Sequence, residues 1–273
     1  MGSQEIFFEP KAIRGGEHHF DIGTAGAVSL VLQALLPVAL MSHEPTRITI
    51  SGGTDVSRAP PWDYMTHVFL PMISAMGAKV RAACLRRGYF PRGGGLVQAD
   101  ISFSCLSPLH LPATRVLAAE GIVCTARLPD HVARRLAESA AEALFPLEVH
   151  MEQKKEEALS PGGSLVLWGK NEGFLGGGEV AQRGVRAEVL GKAAGSALRE
   201  ELDSGASLDI HAADQALIYA ALAGGSVFRV RELSLHLLTA SWLISQFLPV
   251  DVLFTPEEKA FRLEFIRKTP ATS

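Results

Sequence analysis

The sequence predicts a mixed α/β (α+β) fold: repeated βαβ-type units, with a smaller α/β domain inserted among them. Three observations carry this. Short strand-like runs alternate with apolar stretches of helical length along the 273 residues. Two of those stretches, Gln33-Ala-Leu-Leu-Pro-Val-Ala-Leu40 and Gln215-Ala-Leu-Ile-Tyr-Ala-Ala-Leu222, agree at five of eight positions. Each is followed by a short break, a strand (47–50 and 227–230), a polar segment and another helix, the mark of an internal repeat. Between the copies, two prolines in residues 107–112 open a stretch with its own strands and helices. The expected organisation is 1–110 as the first part of the core, 111–205 as the inserted domain and 206–273 as the final repeat.

In chain order, residues 5–9 and 18–22 read as strands around an Arg14-Gly-Gly16 turn. Gly23-Thr-Ala-Gly26 leads into an apolar helix over 28–40. Small residues there let a phosphate reach backbone N–H groups, and equally let the helix start pack closely on a sheet. The strand 47–50 runs through Ser51-Gly-Gly-Thr-Asp55 to a helix over 64–76. A strand over 79–85 reaches Arg86-Arg-Gly-Tyr-Phe-Pro-Arg-Gly-Gly-Gly95 and then a strand over 96–103. Three arginines (Arg86, Arg87, Arg92) beside three glycines suit a phosphate, although a solvated hairpin has the same look.

In the inserted domain, strands are expected over 121–126, 147–152 and 164–168, and helices over 129–144 and 185–202. The run Lys154-Lys-Glu-Glu157 reads as a loop between strands, and Gly176-Gly-Gly178 as a flexible surface loop. The last repeat holds a helix over 208–222, the strand 227–230 and a helix over 237–247.

Composition bounds the rest. At 47% hydrophobic and 20% charged, the chain should bury a sizeable core. A net charge of −3 argues against coating nucleic acid along its length, but not against gripping one nucleic-acid end. Cys84, Cys105 and Cys124 are odd in number and irregularly spaced, so free thiols in a reducing, cytoplasmic setting are expected. The first ten residues have no signal-peptide pattern. The apolar run 30–41 contains Gln33 and Pro37 and is too short for a bilayer, so no membrane is expected.

The chemistry is expected around Glu232-Leu-Ser-Leu-His-Leu-Leu-Thr-Ala240. Ser234 is a natural N-cap, which puts His236 in the first helical turn. A helix N-terminus disfavours imidazolium and offers N–H groups to a phosphate, so His236 is a candidate nucleophile. The alternative is a histidine that merely packs at a strand–helix junction. Asp214, beside Gln215, is placed either to orient His236 or to hold a divalent cation, or is simply an acid in a first helical turn. His211 reads as packing, and the other seven histidines show no metal spacing.

Eight segments, in order, carry a resemblance. They are Phe20-Asp-Ile-Gly-Thr-Ala-Gly26, Val31-Leu-Gln33, Ser51-Gly-Gly-Thr-Asp55, Ala59-Pro-Pro-Trp-Asp63, Arg87-Gly-Tyr-Phe-Pro-Arg-Gly-Gly-Gly95, Ala213-Asp-Gln215, Ala223-Gly-Gly225 and Ser234-Leu-His-Leu-Leu-Thr239. Together they resemble the RNA 3′-terminal phosphate cyclases. The resemblance implies core units similar to the C-terminal domain of translation initiation factor 3, and an inserted domain. It implies ATP, a divalent cation (Mg or Mn) and an RNA 3′ end as partners, and leaves room for a homodimer. It implies a ligase-type nucleotidyl transfer: a histidine takes AMP from ATP, the AMP passes to an RNA 3′-phosphate, and the 2′-hydroxyl closes a 2′,3′-cyclic phosphate.

The matching nucleophile is His236. Gln33, Pro60, Tyr64, Asp214 and Gln215 fall at nucleotide-binding positions, Asp214 also as a metal ligand, and Arg58, Arg87 and Arg92 at positions suited to the substrate phosphate. Where the family has Thr-Asn, this chain has Thr239-Ala240. The pattern also starts with the family already under way, so a preceding unit with a Glu-Gly-Gly-Gly-Gln type motif is expected to be missing. An inactive truncated cyclase, or a non-catalytic relative serving ribosome assembly, is the competing expectation. His236 counts against the non-catalytic relative, and the Ser-x-His-x-x-Thr segment against an enolpyruvyl transferase of similar build.

Overall fold

The structure is a computed structural model and describes residues 5, 7–113, 118–170 and 173–268. Its elements run β1 (Gly16–Asp21), α1 (Val28–Ala39), β2 (Thr46–Gly52), α2 (Trp62–Tyr64), a π-helical turn (Met65–Phe69), α3 (Leu70–Ala75), β3 (Lys79–Arg86) and β4 (Gly95–Ser102). There follow β5 (Ala118–Ala126), α4 (Asp130–Leu144), β6 (Glu148–Lys155), β7 (Gly162–Gly169), β8 (Gly176–Val180) and α5 (Ala187–Ser204). The last described elements are α6 (Ile210–Ala223), β9 (Val227–Val230), α7 (Leu235–Phe247), β10 (Val250–Pro256) and β11 (Phe261–Arg267). The fold is mixed α/β.

The repeat read from the sequence is a repeat of topology. The first sheet has the order β1-β2-β4-β3, and the last β10-β11-β9. Thus α1-β2-helix-β3-β4 and α6-β9-α7-β10-β11 thread the same path, with β4 and β11 each central to the later strands. β1 runs parallel to β2; in the last unit His110 bridges Val227 in the same sense. Gln33 and Gln215 are each the sixth residue of their helix. Period-four apolar positions bury Val28, Leu32 and Leu36 of α1, while β2 turns Ile48 and Ile50 inward at period two.

The third sheet, β6-β5-β7-β8, has two buried faces. Ile122, Cys124 and Val166 join the main core, whereas Val123, Leu165 and Leu167 pack with Leu136, Ala140, Ala194 and Leu198 of α4 and α5. Successive residues point to opposite faces, which is why β5 and β7 read as continuous apolar runs.

Three expectations are corrected. Gly176-Gly-Gly178 is strand β8, with Gly176 and Gly177 buried. A Cβ on Gly177 would lie 2.7 Å from the Ala194 carbonyl of α5, and one on Gly176 2.7 Å from Val68. These glycines serve close approach, not mobility. Lys154 and Lys155 continue β6, so the loop starts later than expected. Of residues 5–9, those described form no strand, and Phe7 and Phe8 are exposed. The unassigned segment 250–267 is a hairpin, signalled by the alternation of Phe261, Leu263 and Phe265. Among the described residues no helix is long and apolar enough to cross a membrane. The three cysteines are unpaired.

Candidate active site

Helices α6 and α7 pack against each other, and the site is built from the first turn of α7 and the second turn of α6, where Asp214 is the fifth residue rather than an acid of the first turn. Ser234 caps α7: its Oγ accepts from Leu237 N–H at 2.9 Å and donates to Asp214 Oδ1 at 2.9 Å. One hydroxyl therefore fixes the start of α7 and ties it to α6. His236, the second residue of α7, is exposed, and lies close enough to Asp214 to act on it electrostatically. Burial raises the Asp214 carboxyl above the ordinary range, and the Ser234 hydrogen bond and the charges of His211 and His236 offset it only in part.

Below this lies Asp209, the N-cap of α6 and 1% exposed. It accepts from the backbone N–H groups of His211 and Ala212, each at 2.9 Å. It also accepts from Tyr64 Oη at 2.8 Å and Gly176 N–H at 2.8 Å. One buried carboxylate thus joins α6, the helix before the π turn, and β8. Tyr64, expected at the nucleotide, is buried with its hydroxyl committed to Asp209; it shapes the site from below.

Glu201 of α5, buried, pairs with Arg231 at 3.2 Å. Burial, and then the negative charge of Asp209, lift its pKa to about 7 against the pull of Arg231. The native state therefore holds this proton more tightly than the unfolded chain does. The resulting stability is full below the ordinary carboxyl range and is lost as pH rises through about 7. Between about pH 5 and 8 the wild type should lose roughly 2–3 kcal/mol that Glu201→Gln does not lose, measured by urea unfolding. Parallel pH profiles for the two proteins would refute this.

The glutamines have spare hydrogen-bonding capacity. Gln215 Oε1 is buried with no partner among the described residues, and Gln33 Nε2 meets only Met65 Sδ, at 3.3 Å, on the π turn. The π turn and α1 both pack on α6. Such turns are frequent at functional sites because they re-aim side chains. Pro60 is half-buried on the approach to α2.

The arginines divide. Arg87 is 4% exposed, with Nη1 3.2 Å from Asp55 Oδ2 and Nη2 2.8 Å from Asp63 Oδ1. Burial opposes its charge, but the two carboxylates outweigh it and raise its pKa further. It is a core cation; the expectation that it faces a substrate phosphate is corrected, because two buried carboxylates occupy its fork. Its partners Asp55 and Asp63 were legible as motif residues but carried no expected role. Arg58, in a left-handed backbone conformation (φ 64°), and Arg92 are exposed. No contact places either beside His236 among the described residues.

A family model described as RNA 3′-terminal phosphate cyclase matches residues 1–254. The chain belongs to the RNA 3′-terminal phosphate cyclase family. Proteins of that name are similar to it across most of its length. One from Nitrosospira multiformis is 50% identical, covering 96% of this chain and 76% of the relative. One from Pyrobaculum neutrophilum is 41% identical, covering 91% and 74%. One from Pyrobaculum aerophilum is 39% identical, covering 96% and 77%. The cyclase segments quoted from the sequence fall at the elements described above: 20–26 from the end of β1 towards α1, 51–55 at the end of β2, 213–215 within α6 and 234–239 at the start of α7.

Proposed function

We infer that the protein converts an RNA 3′-phosphate to a 2′,3′-cyclic phosphate at the expense of ATP, through AMP carried on His236. An imidazole nitrogen of His236 attacks the α-phosphorus; a P–N bond forms, a P–O bond breaks and pyrophosphate leaves. An oxygen of the RNA 3′-phosphate then takes the adenylate and frees the imidazole. The 2′-hydroxyl attacks the 3′-phosphorus, loses its proton and releases AMP.

The observation that carries this reading is the Ser234 hydroxyl, shared between the α7 N-terminus and Asp214, which sets His236 in a first helical turn beside a carboxyl group. The unpartnered Oε1 of Gln215, and the Gln33 amide held only by a weak sulfur contact, suit the polar edges of a nucleotide. A divalent cation would neutralise charge on the phosphates. Among the described residues no cluster of three acidic, histidine or cysteine side chains could hold it. In this proposal Asp214 would hold it, with phosphate oxygens as the natural further donors.

The test is a short RNA with a labelled 3′-phosphate, incubated with ATP and magnesium. The label should become resistant to phosphatase, and only when ATP is present. A phosphate that stays sensitive would overturn the reading in favour of a non-catalytic relative.

A further inference from the structure

We propose that the hairpin between β3 and β4, with the adjoining end of the inserted sheet, is a binding track for the single-stranded RNA whose 3′ end reacts. One base stacks on Phe90, and Arg86, Arg92 and Arg127 hold backbone phosphates. The proposal rests on RNA being the substrate, and adds where the strand lies.

Phe90 is 76% exposed, yet it is not on a loose tip. Its neighbour Tyr89 is 2% exposed and packs against Gly162 of β7. Gly93 N–H donates to the Tyr89 carbonyl at 2.9 Å, closing the turn. Gly93 itself has φ 64°, and a Cβ there would lie 2.7 Å from the Thr24 carbonyl. Arg92 N–H donates to Ser160 Oγ at 3.2 Å. With both flanks anchored, the ring is held outward and has no route back into the core.

Two of the three cations, Arg86 and Arg127, are held in place by backbone carbonyls rather than by acids, and the third, Arg92, is exposed on the anchored turn. Arg86 Nε donates to the Gly94 carbonyl at 2.6 Å. Arg127, in a left-handed conformation at the end of β5 (φ 53°), donates to the Leu159 carbonyl at 3.3 Å. Leu159 in turn lies against Gly94, which makes the patch continuous. Among the described residues none of these three arginines has a carboxylate at ion-pair distance, whereas Arg47, Arg87, Arg229 and Arg231 all do.

A fixed aromatic face among unneutralised guanidinium groups is complementary to a polyanion that carries flat bases. Stacking is sequence-tolerant because every base has a π-face, and the guanidinium fork matches phosphate geometry. A non-basic protein can thus grip a few nucleotides locally.

The test is fluorescence anisotropy of a short, labelled single-stranded RNA ending in a 3′-phosphate, without ATP, at several salt concentrations. Phe90→Ala should bind about tenfold more weakly at an unchanged salt slope. Phe90→Trp should bind like the wild type. Arg127→Ala should reduce the slope of log affinity against log salt by about 0.7, one phosphate contact on a single strand. Wild-type affinity and slope in both alanine variants would sink the track, as would equal losses for Phe90→Ala and Phe90→Trp. Because binding is read without turnover, absent cyclisation with Phe90-dependent binding would fault only the proposed function.

Discussion

Arg87→Ala should destabilise the protein by about 3–5 kcal/mol, the usual cost of stripping one partner from a buried ion pair. The magnitude follows from what stays behind. Asp55 and Asp63 are 1% and 4% exposed, and no other cation is paired with either among the described residues. Water cannot take over the role of the guanidinium without opening the seam between the hairpin and β5, where Cys124 Sγ also meets Arg87 Nη2 at 3.3 Å. Arg87→Lys should recover only part of the loss, because one ammonium cannot span two carboxylates as a planar fork does. Urea unfolding at fixed pH, with an unchanged m-value, reads both changes. A loss below about 1 kcal/mol for the alanine variant would show that the cluster is worth no more than a surface pair.

His236→Ala should abolish covalent labelling by ATP that carries its label in the α-phosphate, and should cut cyclisation at least about a thousandfold. The wild-type label should be acid-labile, as a phosphoramidate is. Asp214→Ala should weaken labelling more than His211→Ala, because Asp214 bonds the residue that caps α7. His211, exposed in the first turn of α6, spends only its backbone N–H on Asp209. Labelling that persists in His236→Ala would move the nucleophile elsewhere; the reverse ranking of the other two would detach Asp214 from the chemistry.

The sequence made much of this legible. Helix α1, strand β2 and helix α6 announce themselves by period, and the duplicated Gln-Ala-Leu segments lead directly to the shared topology. Ser234 was readable as a cap because hydroxyl before an apolar helix is a local signal. What stayed hidden depends on distant partners. The glycines of β8 look like a loop until α5 and the π turn press on them. Arg87 looks like a phosphate ligand until Asp55 and Asp63, far from it in sequence, close around it. The commitment of Tyr64 to Asp209 spans 145 residues. Local pattern reports period and capping; it does not report which charge finds which.

Arg229 has a wider consequence. Its backbone N–H donates to Ser207 Oγ at 2.8 Å and its guanidinium to the Leu111 carbonyl at 3.3 Å. Leu111 N–H reaches the Val227 carbonyl at 2.9 Å, and Ser207 N–H the Arg229 carbonyl at 3.0 Å. The chain thus departs for the intervening stretch and returns from it through one doorway on β9. The covalent path of the duplicated units would survive exchange of a cassette mounted so, but its underside would not come free: Ile122, Cys124 and Val166 belong to the main core, and Tyr64 and Arg87 reach into it.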